Sequence, residues 1–528
     1  MKRKSNLAGV FCIGLTVLFS VAGCRKKSHP GEPGMPAPSS HFLLISPGES
    51  AENIVRKAAR VAPTPNQLAW QEMEFIAFTH FGINTFTDRE WGEGTEDPSL
   101  FNPAGFDARQ WARTFQAAGM KMVIVTAKHH DGFCLWPSRY TEHSVKNSPW
   151  KGGHGDVVGE AAAACRKAGL KFGVYLSPWD RHEPSYGDSP RYNDYFKNQL
   201  RELLTGYGEI SEVWFDGACA EGPNGKRQVY DWDGYYGLIR ELQPGAVISI
   251  IGPDARWIGN EAGVTRESEW SVIPLARMDG LPDEKNPGGV AGLDAQAEDL
   301  GSLKAIEAVA KNGGRLIWYP GQVDVSIRPG WFYHAAEDMK VKTLDHLLEI
   351  YYTSVGGNAQ LLLNIPPDKR GRIHENDARR LKEMGDRLGA TFAVNLAAGA
   401  RAAAEPEGRE GEALGAAMTL DGDPATCWRP AGGASGATIV YDLGQPRTFN
   451  VALVQENIRL GQRVGSFAVD GWDGREWKEV ARGTTIGWKR LLRFPTLTAS
   501  KARLRILDSR LEPTVAEFGL YLDRARTR

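Results

Sequence analysis

Glu212-Val213-Trp214-Phe215-Asp216-Gly217 predicts a short buried strand that ends abruptly in a carboxylate and a glycine. An aspartate contributes nothing to an apolar core, so the position of Asp216 requires another reason. When parallel strands close into a barrel, the residues at their carboxyl ends meet at one mouth, which is where such barrels carry their catalytic side chains. We therefore take Asp216 as the first candidate for a reacting group.

Further apolar runs lie on both sides of this strand, and segments of helical character separate most of them. The runs that predict strands are residues 75–78, 121–126, 171–176, 247–251, 316–319 and 360–364. Short strands that alternate with helices indicate parallel βα units, and unbroken apolarity indicates burial on both faces. We predict an α/β fold, a (β/α)8-like TIM barrel over residues 66–390. A doubly wound open sheet is the alternative, but no glycine fingerprint follows the first strand.

The character of the sequence changes after about residue 390, where helical patterns stop. Short strand-like runs separated by turn residues take over, at 438–444, 451–454, 466–469 and 502–507. This spacing is typical of a β-sandwich. We predict a second, all-β domain over residues 391–528.

The amino terminus has the pattern of a bacterial lipoprotein signal. Positive residues at 2–4 precede an apolar run at 7–19, and Val-Ala-Gly-Cys follows at 21–24. We predict that residues 1–23 are removed and that Cys24 carries a lipid, so that the protein is exported and anchored to a membrane, on its periplasmic or cell-surface face. Ordinary secretion is the alternative. Residues 24–65, rich in Pro, Gly, Ser and Lys, predict a flexible tether.

Composition bounds the function classes. The 63 Lys and Arg residues nearly balance the 64 Asp and Glu residues, so there is no basic excess to favour nucleic-acid binding. The six cysteines are widely spaced, without the CxxC pairs typical of zinc sites. The HExxH spacing of a catalytic metal site is also absent from the sequence. We predict no catalytic metal or cofactor.

Histidines and aromatic residues follow the predicted strands, at His80, Glu90-Trp91 and His129-His130. Imidazole nitrogens bind hydroxyl groups and aromatic rings pack on the C–H faces of sugars, so the mouth suits a polyhydroxylated ligand. Sugar hydrolysis needs two carboxyl groups, one of which enters as an acid with a raised pKa. Asp216 is the nucleophile candidate. The candidates for the acid are Glu261, Glu267 and Glu269, among which spacing alone does not choose.

Five motifs in order along residues 65–390 resemble glycoside hydrolase family 29, the α-L-fucosidases. They are Thr79-His80-Phe81-Gly82, Glu90-Trp91-Gly92, Ala127-Lys128-His129-His130-Asp131-Gly132-Phe133, Gly173-Val174-Tyr175 and Trp214-Phe215-Asp216-Gly217. The resemblance implies a (β/α)8-like barrel and a retaining double displacement that uses no metal. It implies that Asp216 is the nucleophile and that fucose is bound by His80, Glu90, Trp91, His129, His130 and Tyr175.

The second carboxyl group is implied by a subgroup likeness. Residues 256–263, Arg-Trp-Ile-Gly-Asn-Glu-Ala-Gly, are similar to the fucosidases that act on branched α-1,3/1,4 linkages, which implies Glu261 as the acid/base, with Glu269 as the alternative. The run at 323–332 resembles the same subgroup. We expect it to border the aglycone through Asp324 and Trp331, although structural packing explains these two residues equally well. Trp318 is a further pocket candidate.

The carboxy-terminal region resembles a discoidin-like domain of the factor V/VIII type C family. The matching stretches are residues 420–428, 441–444, 473–477 and 516–521. The resemblance implies a carbohydrate-binding module, in some members with a structural calcium ion. A rigid support packed against the barrel is the alternative.

Together these patterns predict an exo-acting, retaining α-L-fucosidase. Its substrates would be fucosylated oligosaccharides or glycoprotein glycans with terminal α-1,3/1,4-linked fucose. Two alternatives stay open: a glycan-binding surface lipoprotein whose barrel is inactive, and a retaining glycosidase for another sugar such as an α-galactoside.

Overall fold

The computed structural model of the chain describes residues 40–222, 224–275, 295–310, 313–407 and 415–526. The predicted signal segment and Cys24 lie outside these ranges. Within them, no helix is long and apolar enough to cross a membrane.

The first half of the chain alternates strands with helices. In order, it forms β1 (Phe42–Ile45), α1 (Ala51–Ala58), α2 (Pro65–Gln71), β2 (Phe75–Thr79), α3 (Ile83–Thr87), α4 (Ala108–Ala117), β3 (Met122–Lys128), α5 (Val157–Ala168), β4 (Lys171–Leu176), α6 (Ser189–Gly206), β5 (Glu212–Phe215), α7 (Trp232–Leu242) and β6 (Val247–Ile250).

The second half completes this unit and then becomes all-β. It forms β7 (Arg256–Trp257), β8 (Val272–Leu275), α8 (Leu303–Ala310), β9 (Gly314–Trp318), β10 (Gly321–Ser326), α9 (Leu344–Ser354), β11 (Gln360–Asn364), α10 (Glu375–Phe392), β12 (Arg401–Glu405), β13 (Ala437–Glu456), β14 (Val464–Trp472), β15 (Trp477–Gly483), β16 (Arg490–Ser509) and β17 (Val515–Tyr521).

A parallel sheet of eight strands forms the barrel in the described part of the chain, in the order β6-β5-β4-β3-β2-β11-β10-β7. Its two ends meet where the Ile250 amide donates to the Ala255 carbonyl at 3.0 Å, so the barrel is nearly closed. Strands β2, β3 and β11 are buried along their whole length, as strands enclosed on both faces must be. The predicted (β/α)8-like barrel is confirmed.

A buried carboxyl group ties four parts of the barrel interior together. Glu212 accepts hydrogen bonds from Trp70 Nε1 at 2.7 Å, Ser249 Oγ at 2.6 Å and Gln322 Nε2 at 2.8 Å. Burial raises the pKa of Glu212 to about 7. Because each buried donor has a partner, this polar layer fixes the relative positions of β5, β6 and β10 and of the α2 helix below them.

Two sequence predictions are wrong outside the barrel wall. Residues 316–319 were predicted to form a strand of the same kind as the others, but β9 belongs to a small antiparallel sheet in the order β1-β9-β8. The predicted tether is not a linker from Ser40 onward, because β1 pairs with β9 and α1 buries Ile54 and Ala58 in the adjoining core. These few apolar side chains outweigh the Pro- and Gly-rich composition around them.

The carboxy-terminal domain is an antiparallel β-sandwich, as predicted. Its strands follow the order β12-β13-β16-β14-β15, and β17 pairs with β13. Register shifts interrupt the pairing of the long strands β13 and β16, and such irregularities bend strands. The bent sheet encloses a second core around Trp428, Phe467 and Phe518.

Candidate active site

A pocket of about 390 Å³ opens at the carboxyl ends of the barrel strands, within the size range of small-ligand sites. Eight of the predicted site residues line this pocket: His80, Glu90, Trp91, His129, His130, Asp216, Glu261 and Trp331. The pocket is also lined by Phe78, Trp214 and Trp257, which the sequence did not indicate, and by Asp324, for which core packing was the alternative. Phe78, Trp214 and Asp324 lie inside strands, where an inward-facing pocket residue has the same local pattern as a core residue.

Asp216 follows β5 directly and is held in one orientation by donors on both oxygens. The Ala218 amide donates to Oδ1 at 2.8 Å, and the Tyr175 hydroxyl donates to Oδ2 at 3.1 Å. His130 Nε2 lies 3.8 Å from Oδ2. The side chain keeps 23% of its surface exposed to the pocket. An oriented and accessible carboxylate at this place can act as a nucleophile.

Tyr175 supports Asp216 from below. Its ring is fully buried and stacks on Trp214 with 5.1 Å between ring centroids. Burial and the neighbouring Asp216 charge raise the pKa of the Tyr175 hydroxyl, which keeps it a hydrogen-bond donor. Tyr175 therefore reaches the site through Asp216, although it was predicted to line the sugar pocket itself.

His80 and His130 present the same ring nitrogen to the pocket. His80 Nδ1 lies 2.9 Å from Asn364 Oδ1, and His130 Nδ1 lies 2.7 Å from Ser177 Oγ, whose proton goes to the Trp179 carbonyl. Both partners accept, so the network assigns the ring proton to Nδ1 and leaves Nε2 as an acceptor. Burial lowers the pKa of both rings, that of His80 to about 4. Neutral imidazoles of this tautomer accept hydrogen bonds from sugar hydroxyls.

His129 lies between these two rings and an acidic side chain. It stacks on Tyr175 with 5.8 Å between centroids, and its Nδ1 is 3.9 Å from Asp131 Oδ2. Asp131 accepts from Asn84 Nδ2 at 3.0 Å and from the Phe133 amide at 2.7 Å. Burial raises the pKa of Asp131 to about 7. The aspartate of the His-His-Asp motif therefore supports the pocket from behind.

Glu90 joins two loops at the rim of the pocket. Its Oε2 accepts from the Trp331 amide at 2.7 Å, and its Oε1 accepts from the Phe332 amide at 3.1 Å and from His334 Nε2 at 2.7 Å. Trp91 beside it is 53% exposed, and its ring meets the His130 ring edge-to-face at 5.3 Å. An exposed indole at a polar rim is suited to packing on a sugar ring.

Glu261 lies at the open rim, opposite the buried part of the pocket. The Trp331 indole nitrogen donates to Glu261 Oε2 at 3.2 Å. Partial desolvation raises the pKa of Glu261, and the charges of Asp216 and Glu90 act in the same direction. Asp216 and Glu261 thus occupy one pocket in different environments, which is the arrangement that separates a nucleophile from an acid.

Asp324 is a third carboxyl group in the same pocket. It is 5% exposed and accepts from Trp257 Nε1 at 2.7 Å. Burial raises its pKa to about 8, and the charge of Glu261 adds to the shift. The Asp324 carboxyl group therefore keeps its proton up to a pH of about 8. Asp324 lines the wall of the pocket, and its contact with an aglycone stays a prediction.

Two predicted site residues do not reach the pocket. Glu269 is buried and binds Arg256 and Arg266, which leaves no oxygen free for a substrate and removes it as the acid/base candidate. The prediction for Trp318 is also wrong, because its indole lies in the β1-β9-β8 region and donates to Gln71 Oε1 at 2.8 Å. Glu267 does not line the pocket either.

Across the described residues, no group of three or more His, Cys, Asp or Glu side chains is arranged to hold a metal ion. In the carboxy-terminal domain, burial together with the charges of Asp421 and Asp423 raises the pKa of Glu517 to about 7. A structural calcium ion in this domain stays a prediction.

Family profiles match both parts of the chain. The α-L-fucosidase profile matches residues 49–265 and 302–391. The F5/8 type C domain profile matches residues 401–517. The first profile covers the barrel with its pocket, and the second covers most of the β-sandwich.

Individual relatives match along nearly the whole chain. α-L-fucosidase 1 of Arabidopsis thaliana is 41% identical over 467 residues, which cover 88% of this chain and 88% of that protein. A crystal structure from Bacteroides ovatus is 52% identical, with a TM-score of 0.82, and covers 93% of this chain and 79% of the other. A glycoside hydrolase 29 fucosidase of Ruminococcus gnavus, solved with fucose, is 31% identical, with a TM-score of 0.76, and covers 92% of this chain and 100% of the other.

The matched profile contains the pocket in which Asp216, Glu261 and the three histidines converge. With the profile, the relatives and the barrel in agreement, this chain belongs to glycoside hydrolase family 29, the α-L-fucosidases, and carries an F5/8 type C domain after its catalytic barrel.

Proposed function

We propose that this enzyme is an exo-acting, retaining α-L-fucosidase that removes terminal α-1,3/1,4-linked fucose by double displacement. The observation that carries the proposal is the pair of unlike carboxyl groups in one pocket. Asp216 is fixed by Tyr175 and Ala218, whereas Glu261 has a raised pKa at the rim. Retaining glycosidases use such a pair as nucleophile and acid/base.

In the first step, an oxygen of Asp216 attacks the anomeric carbon as the bond to the leaving oxygen breaks. Glu261 gives its proton to that oxygen, so the aglycone departs as an alcohol and Glu261 becomes a carboxylate. In the second step, Glu261 takes a proton from water while the water oxygen attacks the same carbon. The ester bond to Asp216 breaks, and both side chains regain their starting protonation states.

Three features support the finer parts of this proposal. The pocket volume of about 390 Å³ suits one terminal sugar unit, and the partly exposed Trp91 and Trp331 stand at its rim. Residues 256–263 and 323–332 resemble the α-1,3/1,4 subgroup. Both stretches place side chains in the pocket, namely Trp257, Glu261, Asp324 and Trp331.

A product screen on oligosaccharides of defined linkage tests the activity and its preference. We expect fucose release from Lewis-type trisaccharides with α-1,3- or α-1,4-linked fucose to exceed release from an α-1,2-linked isomer by at least about tenfold in kcat/KM. Proton NMR should show α-L-fucose as the first-formed anomer. A first product of β configuration would exclude retention. Absence of fucose release would favour an inactive, glycan-binding barrel, and preferred cleavage of an α-galactoside would favour another sugar.

We also propose that the protein is exported and carries its lipid on Cys24. The positive residues, the apolar run and Val21-Ala22-Gly23-Cys24 support this proposal. Expressed at full length in a bacterium, the wild-type protein should partition almost entirely into the detergent phase. Cys24→Ser should move most of it to the aqueous phase while kcat/KM stays the same. Equal partitioning of the two proteins would contradict the anchor, and Cys12→Ser is the matched control.

A further inference from the structure

The loop that carries Glu261 leaves the barrel wall. It runs from the end of β7 to the start of β8, residues 258–271, and we name it the acid/base loop. Glu261 lies in its first limb, at the pocket rim. The second limb, residues 265–271, turns away from the pocket toward the carboxy-terminal domain.

A buried ion pair closes the base of this loop. Arg256, just before the loop, binds Glu269 near its end, and both side chains are buried. Arg266 donates to the Ile258 carbonyl at 3.0 Å, and its amide donates to Glu269 Oε2 at 3.3 Å. The two limbs therefore move together, because an isolated buried charge is too costly to leave without its partner.

The carboxy-terminal domain holds the second limb by its backbone. Gln462 is fully buried, donates to the Glu269 carbonyl at 2.9 Å and accepts from the Ser271 amide at 2.7 Å. Thr484 Oγ1 donates to the Glu267 carbonyl, which also accepts from Arg490 Nη2 at 3.1 Å. These bonds are made to main-chain groups, so they fix the path of the loop whatever its side chains do.

On the barrel side, Asn358 bonds to both the acid/base loop and the carboxy-terminal domain. Asn358 Nδ2 donates to the Glu269 carbonyl at 3.1 Å, and Asn358 Oδ1 accepts from the Trp488 amide at 2.8 Å. Other contacts between the two domains, such as Arg459 with Glu72 at 3.0 Å, lie away from the acid/base loop. The Gln462 and Asn358 contacts at the loop are buried, whereas the contacts of Thr484, Arg490 and Arg459 are exposed.

We infer that the carboxy-terminal domain is part of the catalytic apparatus, and that Gln462 and Thr484 are positioning residues that fix the acid/base loop and so the reach of Glu261 to the glycosidic oxygen. This inference rests on the proposed role of Glu261. Displacing a catalytic group by about 1 Å costs on the order of a hundredfold in rate. Protonation matters most when the leaving group is poor, so the defect should depend on the leaving group.

The experiment compares kcat/KM on two aryl α-L-fucosides of similar size, 2-chloro-4-nitrophenyl and 4-methoxyphenyl. The value of kcat/KM reports the first displacement, and only the second leaving group needs a proton. For Gln462→Met we expect a loss of roughly tenfold to a hundredfold on the 4-methoxyphenyl substrate and less than about threefold on the activated one. For Thr484→Val we expect a smaller change in the ratio of the two kcat/KM values, activated substrate over 4-methoxyphenyl substrate. Arg459→Met, the matched interface control, should keep the wild-type ratio.

Glu261→Gln separates the possible failures. If Glu261→Gln changes the ratio strongly while Gln462→Met and Thr484→Val keep the wild-type ratio, the positioning role is overturned and the acid/base assignment stands. If Glu261→Gln leaves the ratio unchanged, the assignment of Glu261 itself fails. An equal loss on both substrates would show a merely structural role, and this also overturns the inference. If thermal unfolding shows that Gln462→Met is not folded, the kcat/KM ratio of Thr484→Val decides whether the positioning role holds.

Discussion

Asp216→Gly is expected to lower kcat on α-L-fucosides by about 10⁴-fold or more, because it removes the carboxylate that we propose forms the covalent intermediate. That loss corresponds to roughly 5.5 kcal/mol of transition-state stabilisation. Fucose binding should change little. His80 and His130 keep their hydrogen bonds to Asn364 and Ser177, and the 3.8 Å approach of His130 Nε2 to Asp216 is lost.

Calorimetry with fucose and turnover assays on the same preparation check both parts of this prediction. Added azide should enter the space left by the carboxylate and yield β-L-fucosyl azide, which identifies the lost group as the nucleophile. Tyr175→Phe is the matched control, because it removes one donor to Asp216 and leaves the carboxylate in place. A loss of less than about tenfold in Asp216→Gly would reject the nucleophile role.

Glu261→Gln is expected to lower kcat/KM on oligosaccharides by roughly 10²- to 10⁴-fold, because the leaving oxygen then departs without a proton. The pH profile should change as well. The pKa of Glu261 is raised, so the acid is present below that pKa and is lost as the pH rises through it. The basic limb of the wild-type kcat/KM profile should therefore disappear in Glu261→Gln, and this is measured on one substrate over the pH range.

Asp324 provides the control for this pH prediction. Burial raises its pKa to about 8, and the charge of Glu261 adds to this shift, so the titrations of the two carboxyl groups are coupled in the wild-type enzyme. Asp324→Asn keeps a neutral side chain at the Trp257 indole. The charge of Glu261 raises the pKa of Asp324, so Glu261 loses its proton while Asp324 is still neutral, and the basic limb should remain near its wild-type position in Asp324→Asn. A basic limb that persists unchanged in Glu261→Gln would assign it to another group.

Local pattern was sufficient to predict the barrel and to place Asp216 at its mouth. Strands β2, β3, β4 and β5 are short, apolar and fully or almost fully buried. Short runs that are apolar on both faces are typical of the interior of a parallel sheet. Asp216 interrupts the apolar pattern at the end of β5, and this interruption indicated a functional residue. The histidines after β2 and β3 were found in the same way.

Local pattern failed where partners come from distant parts of the chain. Residues 314–318 have the composition of a barrel strand, yet β9 pairs with β1 and β8, so Trp318 packs far from the pocket. Residues 42–45 look like part of a linker, and only pairing with β9 makes them a strand. The pairing of β1 with β9 joins residues that lie more than two hundred positions apart in the sequence, so no local pattern indicates it.

The sequence by itself determined which segments are buried strands, which residues stand at their carboxyl ends and hence that Asp216 faces a mouth of histidines. These properties depend on the composition and spacing of neighbouring residues. Only the tertiary structure decided between Glu261 and Glu269, which lie eight positions apart on one loop. Arg256 and Arg266 occupy Glu269, and Gln462 in the other domain holds its backbone. The path of the loop is thus set by contacts that have no local signature, and that path leaves Glu261 accessible at the rim of the pocket.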